Sequence, residues 1–315
     1  MQREKITVER FFENQRAELG LKLVAGEKGL SRVIREPTVN RPGLALAGFT
    51  RYFANKRVQV IGSAEATYLK SLDEKARRAC YERLFGLKIP CVVICRGMRP
   101  DPLLVETANT ARVPIFQSPL ITMKFINLAT IALEELFAPR ALEMGSMVDI
   151  LGIGVIIRGE PGIGKSESVL ALLERGYSLV SDDVTQVRLV EEREVIGTSP
   201  QVTQNHMEVR GIGIINVALM FGVKSIRTYK RVDLVVSLRW WNEVEDVDRL
   251  GMEDEFTDIL GIKIPLVTIP VRPGRDVARL IEVAAFQAKL KLAGINAAIE
   301  LNERLIAKMT ERTVR

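Results

Sequence analysis

The segment Gly159-Glu160-Pro161-Gly162-Ile163-Gly164-Lys165-Ser166 has the residue types and spacing of a phosphate-cradling loop. Gly162 and Gly164 let the backbone turn its N–H groups toward phosphate oxygens. A helix beginning there adds the positive end of its dipole. The Lys165 ammonium can then reach the terminal phosphates of a nucleotide, and the Ser166 hydroxyl can ligate Mg²⁺. Asp182 and Asp183 follow one helix and one strand later. Carboxylates beside such a loop can hold the metal or take a proton from an attacking hydroxyl. Adjacent residues on an extended chain face opposite ways, so one role for each is expected. Arg272 and Arg275 flank Pro273-Gly274, a turn that can present both guanidinium groups to an oxyanion or leave them in surface ion pairs. Taken alone, Glu208 reads as a surface carboxylate and Arg249 as part of the charged run from Glu243. The chemistry indicated is phosphoryl transfer from a nucleoside triphosphate with Mg²⁺.

Positioning this loop requires a strand before it and a helix after it. Gly154-Val155-Ile156-Ile157 is a β-branched run, and a helix is predicted from Lys165 to Arg175, stopped by Gly176. Tyr177 to Ser181 reads as a short strand that delivers the two aspartates to its carboxyl end. Further strands are expected to about Leu238. Two helices close the chain, one over 277–292 capped by Asp276 and ended by Gly294, the other over 297–309 capped by Asn296. In the first half, 58–62, 89–95 and 113–116 read as strands. Ser63 is expected to cap a helix running to about Leu84, and a shorter helix covers 103–110. Strand and helix in alternation predict a small α/β layer with a mostly parallel sheet. A helix over 126–137 ends at Ala138-Pro139-Arg140, where proline sets a boundary. The fold class expected is α/β with two domains. They are an N-terminal small α/β domain over 1–132 and, after a linker at 133–140, a C-terminal phosphate-loop domain over 141–315 with a mixed sheet.

The composition narrows the class of protein. A hydrophobic fraction of 47% suits a globular chain with a real core. No apolar run approaches a membrane span, and the first residues lack the apolar stretch of a signal peptide, so a cytoplasmic location is expected. Cys80, Cys91 and Cys95 have no metal-type spacing and read as packed thiols. Residues 1–140 hold 23 Lys and Arg against 14 Asp and Glu, whereas the rest of the chain is slightly acidic. The positive charges are scattered and no aromatic residues interleave them, which argues against nucleic acid as a partner.

Together these motifs resemble the HPr kinase/phosphorylases. The similarity covers nearly the whole chain. It includes Thr38 to Leu44 and Arg57 to Gly62 in the first half. In the second half it includes the phosphate loop with Glu167, Asp182-Asp183, Met207 to Ile215, Asp248-Arg249-Leu250-Gly251, and Pro270 to Arg275. The resemblance implies an enzyme that phosphorylates a seryl hydroxyl of the phosphocarrier protein HPr and reverses that reaction by phosphorolysis. ATP would be the donor, with pyrophosphate as an alternative, and Mg²⁺ the cofactor. It implies a catalytic domain related to phosphoenolpyruvate carboxykinase and a homohexamer. Asp183 would accept the proton in phosphorylation and return it in reversal. Lys165 would stabilise the transferring group. Ser166 and Glu208 would hold Mg²⁺, Arg249 would be catalytic, Met207 to Asn216 would shape both directions, and Pro270 to Arg275 would serve mainly dephosphorylation.

Two positions depart from the family pattern. Met144, followed by Gly145, stands where the family usually has a histidine that supports the catalytic aspartate, and methionine neither titrates nor donates a hydrogen bond. Pro161 removes one backbone donor from the loop, where serine is more usual. His206 is the only histidine; it could contact substrate or metal, and otherwise reads as a locally bonded structural residue. Trp240 and Trp241 should point to opposite sides, one of them into the core. Two other readings fit the same loop: a kinase of a small molecule, and a regulator that uses nucleotide only as a switch.

Overall fold

A computed structural model describes residues 6–243 and 255–304, and the chain divides into two units between Ala138 and Pro139. In the first unit a five-stranded sheet forms from β1 (Lys22–Ala25), β2 (Val39–Asn40), β3 (Val58–Ile61), β4 (Val92–Ile94) and β5 (Ile115–Gln117), in the order β1-β5-β4-β3-β2. Strands β2 to β5 are parallel and β1 is antiparallel at the edge. Every residue of β3 and β4 is buried, as parallel strands covered on both faces require. Val58, Val60 and Val93 join one core cluster, while Ile61, Val92 and Ile94 join another on the opposite face. Cys91 and Cys95 both lie in the first cluster, where burial pushes each thiol up to about 12.

The helix expected from Ser63 to Leu84 is two helices, α1 (Ser63–Ser71) and α2 (Glu74–Gly86). Leu72 is extended, and the Asp73 carboxylate caps the second helix through the Ala76 amide at 2.7 Å. The residue at the start of α1 is Gly62, whose N–H donates to the Glu65 carboxylate at 3.0 Å. Arg41 binds the same carboxylate with two hydrogen bonds of 2.9 Å. Burial pushes Glu65 up, but Arg41 and the nearby amides outweigh it and hold the group below the usual carboxylate range. Helix α3 (Pro102–Ala111) is capped by Asp101, and α4 (Thr122–Phe137) closes the unit. The stretch 133–140, expected as a linker, is helical to Phe137 and enters a strand at Arg140, because Leu133 and Leu136 are buried parts of the apolar face of α4.

The second unit has three layers. Strands β6 (Arg140–Met144), β7 (Ser146–Ile150) and β8 (Ile153–Gly159) lead to the loop and α5 (Lys165–Glu174). Then come β9 (Ser178–Ser181), β10 (Val184–Val190), β11 (Glu194–Thr198), the hairpin of β12 (His206–Val209) with β13 (Gly213–Asn216), and β14 (Tyr229–Arg231). Strands β15 (Leu234–Trp240), β16 (Glu255–Ile259) and β17 (Ile262–Val271) precede α6 (Val277–Leu292). A six-stranded mixed sheet runs β9-β7-β8-β15-β17-β16, and a four-stranded sheet runs β14-β11-β10-β6. One core cluster fills the space between the larger sheet and α5 and α6. Another, around Met147, Ile156, Val187 and Val235, joins the two sheets. Asp276 caps α6 and Asn296 caps a further turn helical over 297–304, as expected.

Close approach of backbone explains one glycine. A Cβ on Gly154 would lie 1.9 Å from the Arg231 carbonyl oxygen, so β8 can pass the β14 end only without a side chain there. Gly154→Ala should destabilise the second unit by about 3 kcal/mol, the upper range for overpacking. Gly86→Ala, at a helical site with open space, should stabilise the first unit by about 0.5 kcal/mol. Urea unfolding of the two variants checks both signs.

Candidate active site

The register of the larger sheet gathers the sequence-predicted residues at one edge. Strands β8, β15 and β17 are parallel, pairing Gly159 with Leu238 and Trp240 with Val271. Strand β7 runs antiparallel to β8 and to β9, so β9 points the same way as β8. The carboxyl ends of β9, β8, β15 and β17 and the amino end of β7 therefore share an edge. In an open α/β sheet this is the edge where ligands bind. The aspartates after β9 lie two strands from the loop after β8, about 10 Å at the usual strand spacing.

The loop itself has a cradle's backbone. Gly162 and Gly164 take φ of 89° and 99°, conformations that side chains disfavour. Glu160 and Pro161 are exposed at the tip, while Ile163 is buried and anchors the loop to the core. Lys165 opens α5, and its ammonium donates to the carbonyls of Gly159 at 2.8 Å and Glu160 at 3.0 Å. This stations the charge over the loop. The guanidinium of Arg210 also reaches it, 3.4 Å from where a Cβ on Gly162 would stand.

The two aspartates face opposite ways. Asp182 is buried; one oxygen accepts from the Ser146 hydroxyl at 2.8 Å and the other from the Glu208 amide at 3.1 Å. Burial raises its carboxyl above the usual range, against the pull of those two donors. Asp182, expected as a metal ligand, spends a hydrogen bond from each oxygen on a protein donor and ties β9 to the hairpin. Asp183 is exposed, and its carboxylate has no partner among the described residues. Its φ is 54°, and the Val184 amide closes a tight turn across it to the Asp182 carbonyl at 2.6 Å. The Ser146 hydroxyl also accepts from the Asp183 amide at 3.2 Å. A left-handed aspartate in a three-residue turn is a strained arrangement of the kind found at functional sites.

On the hairpin, Met207 and Val209 are buried and Glu208 and Arg210 are exposed, the alternation of a half-buried strand. Among the described residues neither the Ser166 hydroxyl nor the Glu208 carboxylate has a hydrogen-bond partner. These are unspent hard oxygen donors, the chemistry that Mg²⁺ takes from a protein when substrate phosphates and water complete its shell. They fit the expected metal. Arg272 and Arg275 come together as expected, though on a platform sequence reasoning did not find. Their guanidinium carbons lie 5.0 Å and 5.7 Å from the centre of the Trp241 ring. Trp240 packs against the core and Trp241 is half exposed. His206 is exposed and bonded locally, its Nδ1 2.8 Å from the Gln204 carbonyl. Arg249 and its motif lie outside the described residues.

Ser146 is a site residue that sequence reasoning missed; Arg210 lies inside the Met207 to Asn216 segment and Trp241 is read only for its facing, so sequence reasoning gives neither its own place at the site. Arg210 had a signal, because it stands two residues from Glu208 on an alternating strand. Ser146 had none: its partner is 36 positions away. Beneath the loop Arg158 pairs with Glu143 and donates to Thr257 at 3.3 Å, joining β8 to β6 and β16. Met144 is exposed on β6 opposite Val184, beside the turn that holds Asp183.

Residues 6–133 match the family model described as HPr Serine kinase N terminus, and residues 135–305 match HPr Serine kinase C-terminal domain. The HPr kinase/phosphorylase of Leptospira biflexa serovar Patoc is 38% identical over 302 residues, covering 95% of this chain and 94% of that protein. That of Caldicellulosiruptor bescii is 41% identical over 295 residues, covering 93% and 94%. A solved structure of the Hpr(Ser) kinase/phosphatase from Coxiella burnetii is 34% identical, with a TM-score of 0.47, covering 52% of this chain and 99% of that one. The matches run through both units in order, so the chain belongs to the HPr serine kinase family.

Proposed function

We propose that this chain transfers the terminal phosphoryl group of ATP to a seryl hydroxyl of HPr, and removes it again with inorganic phosphate as acceptor. The observation that carries this reading is the shared sheet edge, where an unpartnered carboxylate at Asp183 faces outward beside a phosphate-cradling loop. In the forward direction Asp183 takes the seryl proton as the serine oxygen bonds to the γ-phosphorus and the bond to ADP breaks. In reverse, a phosphate oxygen bonds to the phosphorus of phosphoserine, the seryl C–O–P linkage opens at phosphorus, Asp183 returns the proton to the seryl oxygen, and pyrophosphate leaves. Lys165 and the loop amides take up negative charge on the transferring group. Arg249 is assigned to the same task by family resemblance.

Ser166 and Glu208 would hold Mg²⁺, which when bound neutralises charge on the phosphates. Asp182 acts behind them by fixing the Glu208 backbone. Arg272 and Arg275, held side by side on Trp241, suit the phosphate or phosphoseryl group of the reverse reaction. Assembly as a homohexamer belongs to the same reading. The test is mass spectrometry of HPr after incubation with the protein, ATP and Mg²⁺, and of phosphoseryl-HPr with phosphate. HPr left unmodified in the first and unchanged in the second would overturn it.

Asp183→Asn should lower turnover roughly 10²- to 10⁴-fold, the span of general-base catalysis, while ATP affinity measured by calorimetry stays within about twofold. Ser146→Ala leaves an Asp182 oxygen and the Asp183 amide without their partner. It should lower stability by about 1–3 kcal/mol in urea titration and reduce both reactions. Met144→His places a titrating ring beside the Asp183 turn. Rates in one or both directions should then gain an inflection near pH 6.5, the ordinary histidine value, that the parent lacks. Superimposable pH profiles for parent and variant would show that this position is not coupled to Asp183.

A further inference from the structure

The first unit has a ligand-sized cavity that none of the catalytic features explains. Its volume is about 240 Å³, and it opens at the carboxyl ends of β3 and β4. Its floor is apolar and made of buried side chains: Ile61 and Ile94 at the two strand ends, with Leu69 and Leu104 from α1 and α3. Its rim is charged, with Lys70, Arg77, Arg99 and Asp101.

The one acidic side chain of the rim is already spent. One Asp101 oxygen accepts from the Leu103 amide at 3.0 Å, capping α3. The other accepts from the Tyr81 hydroxyl at 3.0 Å and stands 3.0 Å from Arg77 Nε. Burial and Asp101 keep the Tyr81 hydroxyl protonated, so it adds no second negative charge. Lys70 and Arg99 are exposed and make no ion pair among the described residues, and the outer nitrogens of Arg77 are likewise uncommitted. Three cations and one neutralised acid leave two positive charges over an apolar floor.

The wall is also built rather than loose. After β4 the chain turns through two consecutive left-handed residues, Arg96 with φ 64° and Gly97 with φ 60°. The Gln117 side chain pins that turn by donating to the carbonyls of Gly97 at 3.1 Å and Met98 at 2.9 Å. The strained conformation of a non-glycine residue is thus held by two side-chain bonds from the neighbouring strand. It carries Met98 and Arg99 to the cavity mouth.

We infer that this cavity binds a small phosphomonoester with an apolar body, the phosphate on Lys70, Arg77 and Arg99 and the body on the Ile61, Leu69, Ile94 and Leu104 floor. A phosphomonoester carries close to two negative charges at neutral pH, which matches the surplus on the rim. Guanidinium forks suit its oxygens. The volume lies below the usual range for larger ligands and so limits the body to about one ring. The inference is independent of the phosphate loop in the second unit.

The probe is phenyl phosphate, with inorganic phosphate and benzoate as controls, added to the full-length protein carrying Lys165→Met to weaken the phosphate loop. Hydrogen exchange read by mass spectrometry should show protection in peptides spanning 66–81 and 96–105. Lys70→Glu with Arg99→Glu, both at exposed positions, should weaken binding at least tenfold without lowering the Tm. Absence of protection in those peptides, or equal affinity in the charge-reversed protein, would overturn the site. Inorganic phosphate binding there as tightly as phenyl phosphate would refute the apolar body, and benzoate doing so would refute the phosphomonoester.

Discussion

The catalytic edge depends on one buried carboxylate and the hydroxyl opposite it. Asp182 is withdrawn from water, a costly position for an acid unless its oxygens are bonded. Ser146 supplies one donor and the Glu208 amide the other. Those two bonds join the end of β9, the start of β7 and the first strand of the hairpin. Because Asp182 must face inward to keep them, the next residue must face outward. The left-handed turn at Asp183 and the Ser146 bond to its amide fix where that carboxylate stands. A single buried polar cluster thereby positions the proposed base and the proposed metal ligand together.

Around that cluster, charge is distributed by how each cation is held. Lys165 is tethered to loop carbonyls and Arg210 rests against Gly162, so both sit at the cradle. Arg272 and Arg275 would repel each other if free. Sharing the face of Trp241 contributes about 0.5–1 kcal/mol each at an exposed site and restricts their motion. Arg275 is further anchored through a bond to the Pro270 carbonyl at 2.8 Å. The positive groups thus form two clusters on one edge, one at the loop and one beyond β15. A reaction that handles two phosphate-bearing species in both directions has use for both.

Local signals made much of this legible. The phosphate loop, its flanking strand and helix, the caps at Asp276 and Asn296, and the opposed aspartates all follow from spacing and side-chain chemistry within a few residues. What could not be read depends on contacts between distant segments. The break at Leu72-Asp73 was hidden because helical spacing continues across it, and only the Asp73 cap ends one helix and starts the next. The bond from Ser146 that holds Asp182 in place spans 36 positions and left no local trace. The opposite facing of Trp240 and Trp241 could be read, but not that Arg272 and Arg275 lie over the Trp241 ring. Arg41 and Glu65 belong to this class too, a bidentate pair of an exposed guanidinium with a buried carboxylate between segments with no local pattern.

The two units show how the same edge geometry leads to different chemistry. Each has parallel strands whose carboxyl ends open onto loops with cations, and each has an aspartate at that edge. Asp101 is consumed: it caps a helix, accepts a hydrogen bond from a tyrosine hydroxyl and pairs with an arginine, so it can offer little to a bound molecule. Asp183 is kept free by its buried neighbour, which accepts the structural bonds in its place. A spent carboxylate leaves a surface that can only bind, whereas an unspent one beside a phosphate cradle can move a proton. In the second unit that difference is made by Asp182, the buried acid that takes the structural load and leaves its neighbour unspent.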